Sequence, residues 1–152
     1  MPSDFPETLY YKRCEFVTHL PAARRYSPSH FWAEEEAAGL WRIGFTQFAT
    51  RMMGEIVERH FDIVPGAAVS PGQVLGWVEG FKALTDLFCI ATGEFAGGNP
   101  ALDEDAGRIS SDPYGEGWLY RVRGKPDATC VDAEGYRAIL DAVIDGILES
   151  RP

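Results

Sequence analysis

The stretch 76–87 constrains the fold more than any other part of the chain. Trp77 and Val78 are typical of a β-strand, Gly80 interrupts the strand pattern, and Lys82 follows two residues later. This arrangement predicts a strand, a turn and a return strand, with one lysine presented at the turn. A lysine there has a flexible four-carbon stem and a nucleophilic amine, which suit it to carry a covalently attached group. The alternative interpretation is that Lys82 is an ordinary surface lysine.

Length and charge limit the partners that the chain can have. It has 152 residues, of which 14 are basic and 23 acidic, so the net charge is -9. One globular domain accounts for this length, and the negative charge opposes general affinity for nucleic acid or for an anionic membrane. No apolar run is long enough to span a bilayer, and the first seven residues lack the features of a secretory signal. We therefore expect a cytoplasmic protein whose partners are proteins or small molecules.

The cysteines and histidines do not predict a metal site. Cys14, Cys89 and Cys130 are odd in number, widely separated and without C-x-x-C spacing, so we expect neither a disulfide framework nor bound zinc. The histidines show no metal-binding spacing either. Buried or incidental thiols are the expected case, unless Cys14 or Cys89 lies near a group carried on Lys82.

A hairpin and a short helix are predicted in the first half of the chain. The alternating pattern of 40–45 is that of a half-buried strand, and the acidic segment 34–39 reads as the turn that precedes it. Thr46 is placed to cap a helix that Gly54 ends. The two methionines within it, Met52 and Met53, are expected to fill the core.

A longer amphipathic helix is predicted near the carboxyl end. Asp132 is placed to cap it, and an apolar stripe advances by steps of three and one residues along Tyr136, Ile139, Leu140, Val143, Ile144, Ile147 and Leu148. The stripe predicts packing against a sheet. The charged residues of another face, which include Asp141 and Asp145, are expected to be solvated.

Several motifs carry a resemblance to one family. The segment 111–119 reads S-D-P-Y-G-E-G-W-L, and 76–87 contains V-E-G-F-K-A-L-T-D. These resemble the D-P-Y-G-E-G-W-L signature and the V-E-S-V-K-A-x-x-D lipoyl-attachment segment of the H proteins of the glycine cleavage system. Segments 26–32, 43–57 and 92–95 resemble other H-protein motifs in the same order, so the resemblance runs from about Tyr26 to Leu148.

The resemblance implies a fold and a domain division. The expected class is mainly β (α+β): a flattened two-sheet lipoyl/biotinyl-type barrel-sandwich hybrid, with a short internal helix and a C-terminal amphipathic helix. Residues 26–150 would form the lipoyl-carrier domain. Residues 1–25 would be an N-terminal extension, whose purpose the sequence does not indicate.

The resemblance also implies site residues. Lys82 corresponds to the residue to which lipoate is covalently attached, and Glu79 and Gly93 correspond to positions that lipoate-attaching enzymes need. Asp86 corresponds to a carboxylate that helps to hold the amine of the loaded arm, although it could equally be a turn aspartate. Phe31 departs from the family, because H proteins have at that place a glutamate that belongs to the same site.

The implied function is that of a carrier and not of a catalyst. The lipoyl arm would shuttle an aminomethyl group from a pyridoxal-phosphate glycine decarboxylase to an aminomethyltransferase, and dihydrolipoamide dehydrogenase would reoxidise it. The expected partners are these three enzymes and a lipoate-attaching enzyme. Two alternatives stay open: an H-like lipoate carrier of another pathway, such as sulfur oxidation, and a non-lipoylated interaction module.

Overall fold

The computed structural model describes residues 7–13 and 16–150, which form a flattened sandwich of antiparallel β-sheets with helices around it. The strands are β1 (Thr8–Arg13), β2 (Phe16–Pro21), β3 (Arg25–Tyr26), β4 (Phe31–Ala37), β5 (Leu40–Phe45), β6 (Ile56–Phe61), β7 (Ala68–Val69), β8 (Val74–Gly80), β9 (Leu84–Phe88), β10 (Ala91–Gly98) and β11 (Tyr120–Pro126). The helices are α1 (Gln47–Met53), α2 (Arg108–Ser111) and α3 (Ala133–Glu149), and a single 3-10 turn spans Pro100–Asp103.

Two larger sheets make up the sandwich. One has six strands in the order β3-β4-β5-β11-β10-β7, and the other has three in the order β6-β8-β9. The strands β1 and β2 form a separate antiparallel hairpin. The predicted flattened two-sheet architecture is confirmed, as an open sandwich within the described part of the chain. The hairpin β1–β2 is a third small sheet that the sequence patterns did not predict.

The main core lies between the two larger sheets. Apolar and polar side chains alternate along the strands of both sheets, so that one face of each sheet is apolar. Burial of these apolar side chains is the main driving force for packing the sheets together. The fully buried residues of this core include Ile43, Leu75, Val78, Leu87, Leu119 and Val122.

The acidic segment that precedes β5 is mostly strand and not turn. Glu34 and Glu36 lie in β4, and the turn itself is confined to 38–39. These carboxylates are tolerated in a strand because each has an arginine partner. Arg42 is the cross-strand neighbour of Glu34 and donates a hydrogen bond to it at 3.0 Å. Arg121 donates two hydrogen bonds to Glu36, at 2.7 and 2.8 Å.

The short helix α1 begins and ends where the sequence predicts. The Thr46 hydroxyl accepts from the Ala49 N–H at 3.4 Å, and Gly54 follows the helix with a φ of 73°. Met53 is buried as expected, but the same expectation was wrong for Met52, which is 51% exposed. A helix of seven residues has only one core face, and the two neighbouring methionines point in different directions.

The long helix α3 is also capped as predicted, because the Asp132 carboxylate accepts from the Gly135 N–H at 2.8 Å. Its stripe buries Tyr136, Leu140 and Ile144 in a second apolar cluster. None of the helices among the described residues has the length and apolar character that crossing a bilayer requires.

The hairpin β1–β2 packs on α3. Asp141, which was expected to be solvated, accepts a hydrogen bond from the Tyr11 hydroxyl at 2.7 Å, and Asp145 forms an ion pair with Arg13. The rings of Tyr11 and Phe16 are buried in the second cluster. The expectation of a solvated face was therefore wrong at Asp141, because an element without a clear sequence pattern covers that side of the helix, whereas the Asp145 side chain remains 48% exposed.

Candidate functional site

The structure places Lys82 in the exposed turn that joins β8 to β9. The backbone of this turn is well held. The Gly80 N–H donates to the Ala83 carbonyl at 2.8 Å, which closes the turn, and the Lys82 N–H donates to the Met53 carbonyl at 2.8 Å. A third bond runs from the Phe81 N–H to the Glu55 carbonyl at 3.0 Å. The backbone is thus fixed to the end of α1. Lys82 itself is exposed, although the stem of its side chain passes close to Gly54.

Gly80 is required by this attachment. A Cβ atom on residue 80 would lie 2.4 Å from the Met53 carbonyl oxygen, a distance at which the backbone would have to move. The serine that H proteins commonly have here would not fit the present backbone. The change to glycine is therefore explained by the close approach of the turn to α1.

Glu79 and Asp86 lie on the same hairpin as Lys82. Glu79 is in β8 and is paired with Leu84, and Asp86 is in β9 and is paired with Trp77. These four residues, with Thr85, line a shallow groove of about 570 Å³. Both carboxylates are exposed, so each can reach a group that is bound beside the turn.

Gly93 lies in the other sheet, in β10, where it is paired with Gly124. Its φ is 150°, and a Cβ atom there would lie 1.9 Å from the Arg123 carbonyl oxygen. Both observations demand a glycine for the fold itself. The structure therefore gives Gly93 a role in strand pairing, separate from the hairpin that presents Lys82.

Phe31 is part of the core. It is 2% exposed and stacks on Phe45, with 5.0 Å between the ring centroids. The position at which the family has a glutamate thus provides packing and no polar group in this chain. Next to it, the His30 imidazole shares a 2.8 Å hydrogen bond with the Tyr136 hydroxyl, and burial lowers the pKa of this histidine.

The buried thiols are not poised for reaction. Cys89 is 1% exposed, donates to the Ala91 carbonyl at 3.2 Å, and has its pKa raised by burial. Burial also raises the pKa of Cys130, to about 11. Cys14 lies outside the described residues. Within residues 7–13 and 16–150, no group of three or more His, Cys, Asp and Glu side chains is arranged to hold a metal ion.

The sequence patterns missed two apolar residues that flank Lys82. Phe81 is 76% exposed and Leu84 is 70% exposed, although both side chains are large and apolar. The available signal was their position: apolar residues at the tip of a hairpin have no core to enter. Such exposure is typical of a surface that contacts a partner.

Comparison with known proteins identifies the family. The family model described as "Glycine cleavage H-protein" matches residues 24–141. The chain is 37% identical over 125 residues to a "Glycine cleavage system H protein" of Corynebacterium jeikeium, a match that covers 80% of this chain and 98% of the relative. It is 32% identical over 128 residues to a protein of the same name from an Enterobacter species, covering 82% and 98%.

A solved structure agrees with these matches. The crystal structure of a glycine cleavage system H protein from Mycobacterium marinum is similar to this fold with a TM-score of 0.71 at 32% identity, and the match covers 80% of this chain and 99% of that one. The exposed lysine turn, the sandwich and the sequence matches lead to one conclusion: this chain belongs to the glycine cleavage H-protein family.

Proposed function

We propose that Lys82 carries lipoate through an amide bond, and that the chain is the H-type carrier of a glycine cleavage system. The observation that carries the proposal is an exposed lysine at the tip of a hairpin whose backbone is fixed by hydrogen bonds, in a member of the H-protein family. The relatives favour the glycine cleavage system over a different pathway, because they bear that name.

The surroundings of Lys82 suit acylation. Among the described residues, Lys82 takes part in no ion pair. Its amine would attack the carbonyl of lipoate that has been activated as a mixed anhydride with a nucleoside monophosphate. The amide C–N bond would form as the C–O bond to the phosphate breaks, and the amine would lose a proton. A fixed turn aids this step, because less backbone freedom is lost when the enzyme binds.

Other residues of the hairpin hold and position the carried group. Bound lipoate would supply reversible dithiol chemistry for the uptake and release of an aminomethyl group. Asp86 is exposed on the return strand and offers a carboxylate to a protonated amine, which charge-assisted hydrogen bonds retain. Glu79 and Gly93 are the positions that the attaching enzyme recognises. Phe31 supplies no second carboxylate, so Asp86 is left to act without it.

The remaining assignments follow from this role. The chain acts as a carrier subunit, and the decarboxylase, the aminomethyltransferase and dihydrolipoamide dehydrogenase perform the catalysis. Residues 26–150 form the carrier domain and residues 1–25 an extension. The family match begins at residue 24, and β1–β2 pair only with each other, which supports this division.

Attachment is tested by intact mass after incubation with a lipoate-attaching enzyme, lipoate and ATP. The wild-type chain should gain one lipoyl group and Lys82→Arg none. Lys125→Arg is the matched control, because Lys125 is exposed in β11, and it should be acylated like the wild type. Acylation that persists in Lys82→Arg would refute the assignment of the attachment site.

The pathway is tested separately with the acylated protein, a glycine decarboxylase, pyridoxal phosphate and glycine. We expect the mass of one aminomethyl group to be added, and less of it to be retained by Asp86→Asn. If acylated protein gains no mass from glycine, the carrier assignment to the glycine cleavage system is wrong even where attachment succeeds.

A further inference from the structure

One face of the three-stranded sheet β6-β8-β9 is exposed and continues to the Lys82 turn. The register places alternate residues of these strands on this side of the sheet, which we name the outer face. Its central members are Glu58, His60, Trp77, Glu79, Leu84 and Asp86.

The outer face is more apolar than a solvated sheet surface requires. Leu84 is 70% exposed, and at the far end of the hairpin Val74 and Phe88, a cross-strand pair, are 49% and 36% exposed. Between them lies the half-buried ring of Trp77, 5.5 Å from the ring of His60. Because β9 is also an edge strand, such a surface invites association and is rarely retained without a partner.

The charge of this face has one sign. Glu58, Glu79 and Asp86 are exposed, and none of them forms an ion pair within the described part of the chain. His60 already has a carboxylate partner, since its Nε2 lies 2.7 Å from Asp62. The face therefore presents unneutralised carboxylates around an apolar centre, and its complement is a basic rim around an apolar patch.

The other flank of Lys82 lacks this character. There a groove of about 290 Å³ runs beside α1, and Lys82 itself lines it together with polar residues that include Gln47, Thr50 and Ser110. Arg51 and Glu55 in the same groove bring both signs of charge. Neither an apolar centre nor a uniform field marks this side as a docking surface.

We propose that the outer face is where the enzyme that acylates Lys82 docks, through a surface with a basic rim and an apolar centre. This inference rests on the proposed function and adds to it the side of the Lys82 turn from which the attaching enzyme binds. Before acylation the amine lies only one side chain from the turn, so the attaching enzyme must contact residues that flank the turn. Glu58 in β6 and Leu84 in β9 thereby become specificity residues, on the strands to either side of the one that carries Glu79.

The test uses two pairs of surface variants. Glu58→Lys reverses a charge on the outer face, and Glu149→Lys makes the same change on an exposed residue at the end of α3. Leu84→Ser removes an apolar side chain from the face, and Val64→Ser removes one that is equally exposed, at 70%, in the loop after β6. All four positions are exposed, so thermal unfolding should match the wild type and show that the fold is intact.

The initial rate of lipoyl attachment is measured by intact mass at low and high salt. Glu58→Lys should raise the KM of the attaching enzyme for this protein by about tenfold at low salt and by less at high salt, with kcat unchanged. Leu84→Ser should raise KM at both salt concentrations, because apolar contact is not screened. Binding of the attaching enzyme is also measured by calorimetry to two proteins that cannot be acylated, Lys82→Arg and Lys82→Arg with Glu58→Lys. The second should bind about tenfold more weakly at low salt.

Two results would overturn the inference. If Glu58→Lys and Leu84→Ser behave like their controls while the wild type is acylated normally, the enzyme docks elsewhere and only this inference fails. If the variants are acylated normally but lose uptake from glycine, the face belongs to a different partner and the stated occupant is wrong. A wild-type chain that is not acylated at all overturns the proposed function together with the inference.

Discussion

Replacing Phe31 with glutamate introduces the family residue at a position that the structure places in the core. Phe31 is 2% exposed and stacks on Phe45, so the new carboxylate would enter an apolar site. Phe31→Glu should therefore destabilise the fold before it can affect the carried arm.

The magnitude follows from two losses. Loss of the buried aromatic ring costs about 2 kcal/mol, less than a change to alanine because the glutamate stem fills part of the space. A buried carboxylate without a partner costs about 3–5 kcal/mol more at neutral pH. Together these reach about 6 kcal/mol, against a total stability of about 5–15 kcal/mol for a domain of ordinary size.

The carboxylate part of the loss depends on pH. Burial raises the pKa of the new carboxyl in the folded state above its unfolded value of about 4.3. The folded state then holds the proton over a pH range in which the unfolded state has lost it, so the loss of stability grows as the pH rises through that range. The neutral variant Phe31→Gln loses the same packing without this dependence.

Urea unfolding of both variants, followed by circular dichroism at acidic and neutral pH, checks this reasoning. Phe31→Glu and Phe31→Gln should be similar near pH 4.3 and separate by about 3 kcal/mol or more at neutral pH. Equal stabilities at both pH values would mean that the carboxylate finds solvent or a partner, and that the packing described for Phe31 is wrong.

Three further predictions concern stability, measured as the free energy of unfolding in urea. Gly93→Ala should cost about 3 kcal/mol, because residue 93 has a positive φ and an added Cβ would contact a carbonyl oxygen. The control Gly146→Ala, in α3 with open space around it, should be neutral or stabilising. A tolerated Gly93→Ala would contradict the tight strand pairing. Tyr11→Phe should cost about 1 kcal/mol through the lost hydrogen bond to Asp141, and it should cost nothing more in an Asp141→Ala background, which has no side-chain acceptor. An undiminished cost there would refute the pairing. Burial lowers the pKa of His30 in the folded state, so the unfolded state binds more protons and stability should fall as the pH drops below about 6.5; His30→Gln should reduce this slope, and an unchanged slope would assign it to other groups.

The features that the sequence predicted correctly are those with a local cause. Thr46 and Asp132 cap helices through bonds to residues three positions away, and the turn around Gly80 is marked by the residues that form it. The alternation of 40–45 likewise reflects the strand in which it lies. In each case the interaction that fixes the structure joins residues that are close in the sequence, so neighbouring residues are enough to predict it.

The features that the sequence missed depend on distant contacts. Tyr11 and Asp141 form a hydrogen bond although they are 130 positions apart in the sequence. The β1–β2 hairpin has no regular pattern of apolar residues that would predict its contact with α3. The need for a glycine at position 93 arises from the carbonyl of Arg123 on a different strand, so the residues next to Gly93 in the sequence do not reveal it. The sequence likewise does not reveal that Phe31 is a core residue, since its stacking on Phe45 depends on the pairing of β4 with β5.

The most direct test of the account is the intact mass and peptide map of the protein isolated from its own host cells. The account predicts a population that carries one lipoyl group, located on the peptide that contains Lys82, with Lys12 and Lys125 unmodified. Protein that is entirely without a lipoyl group in cells that lipoylate their other carrier proteins would contradict it, and so would a lipoyl group on a different lysine.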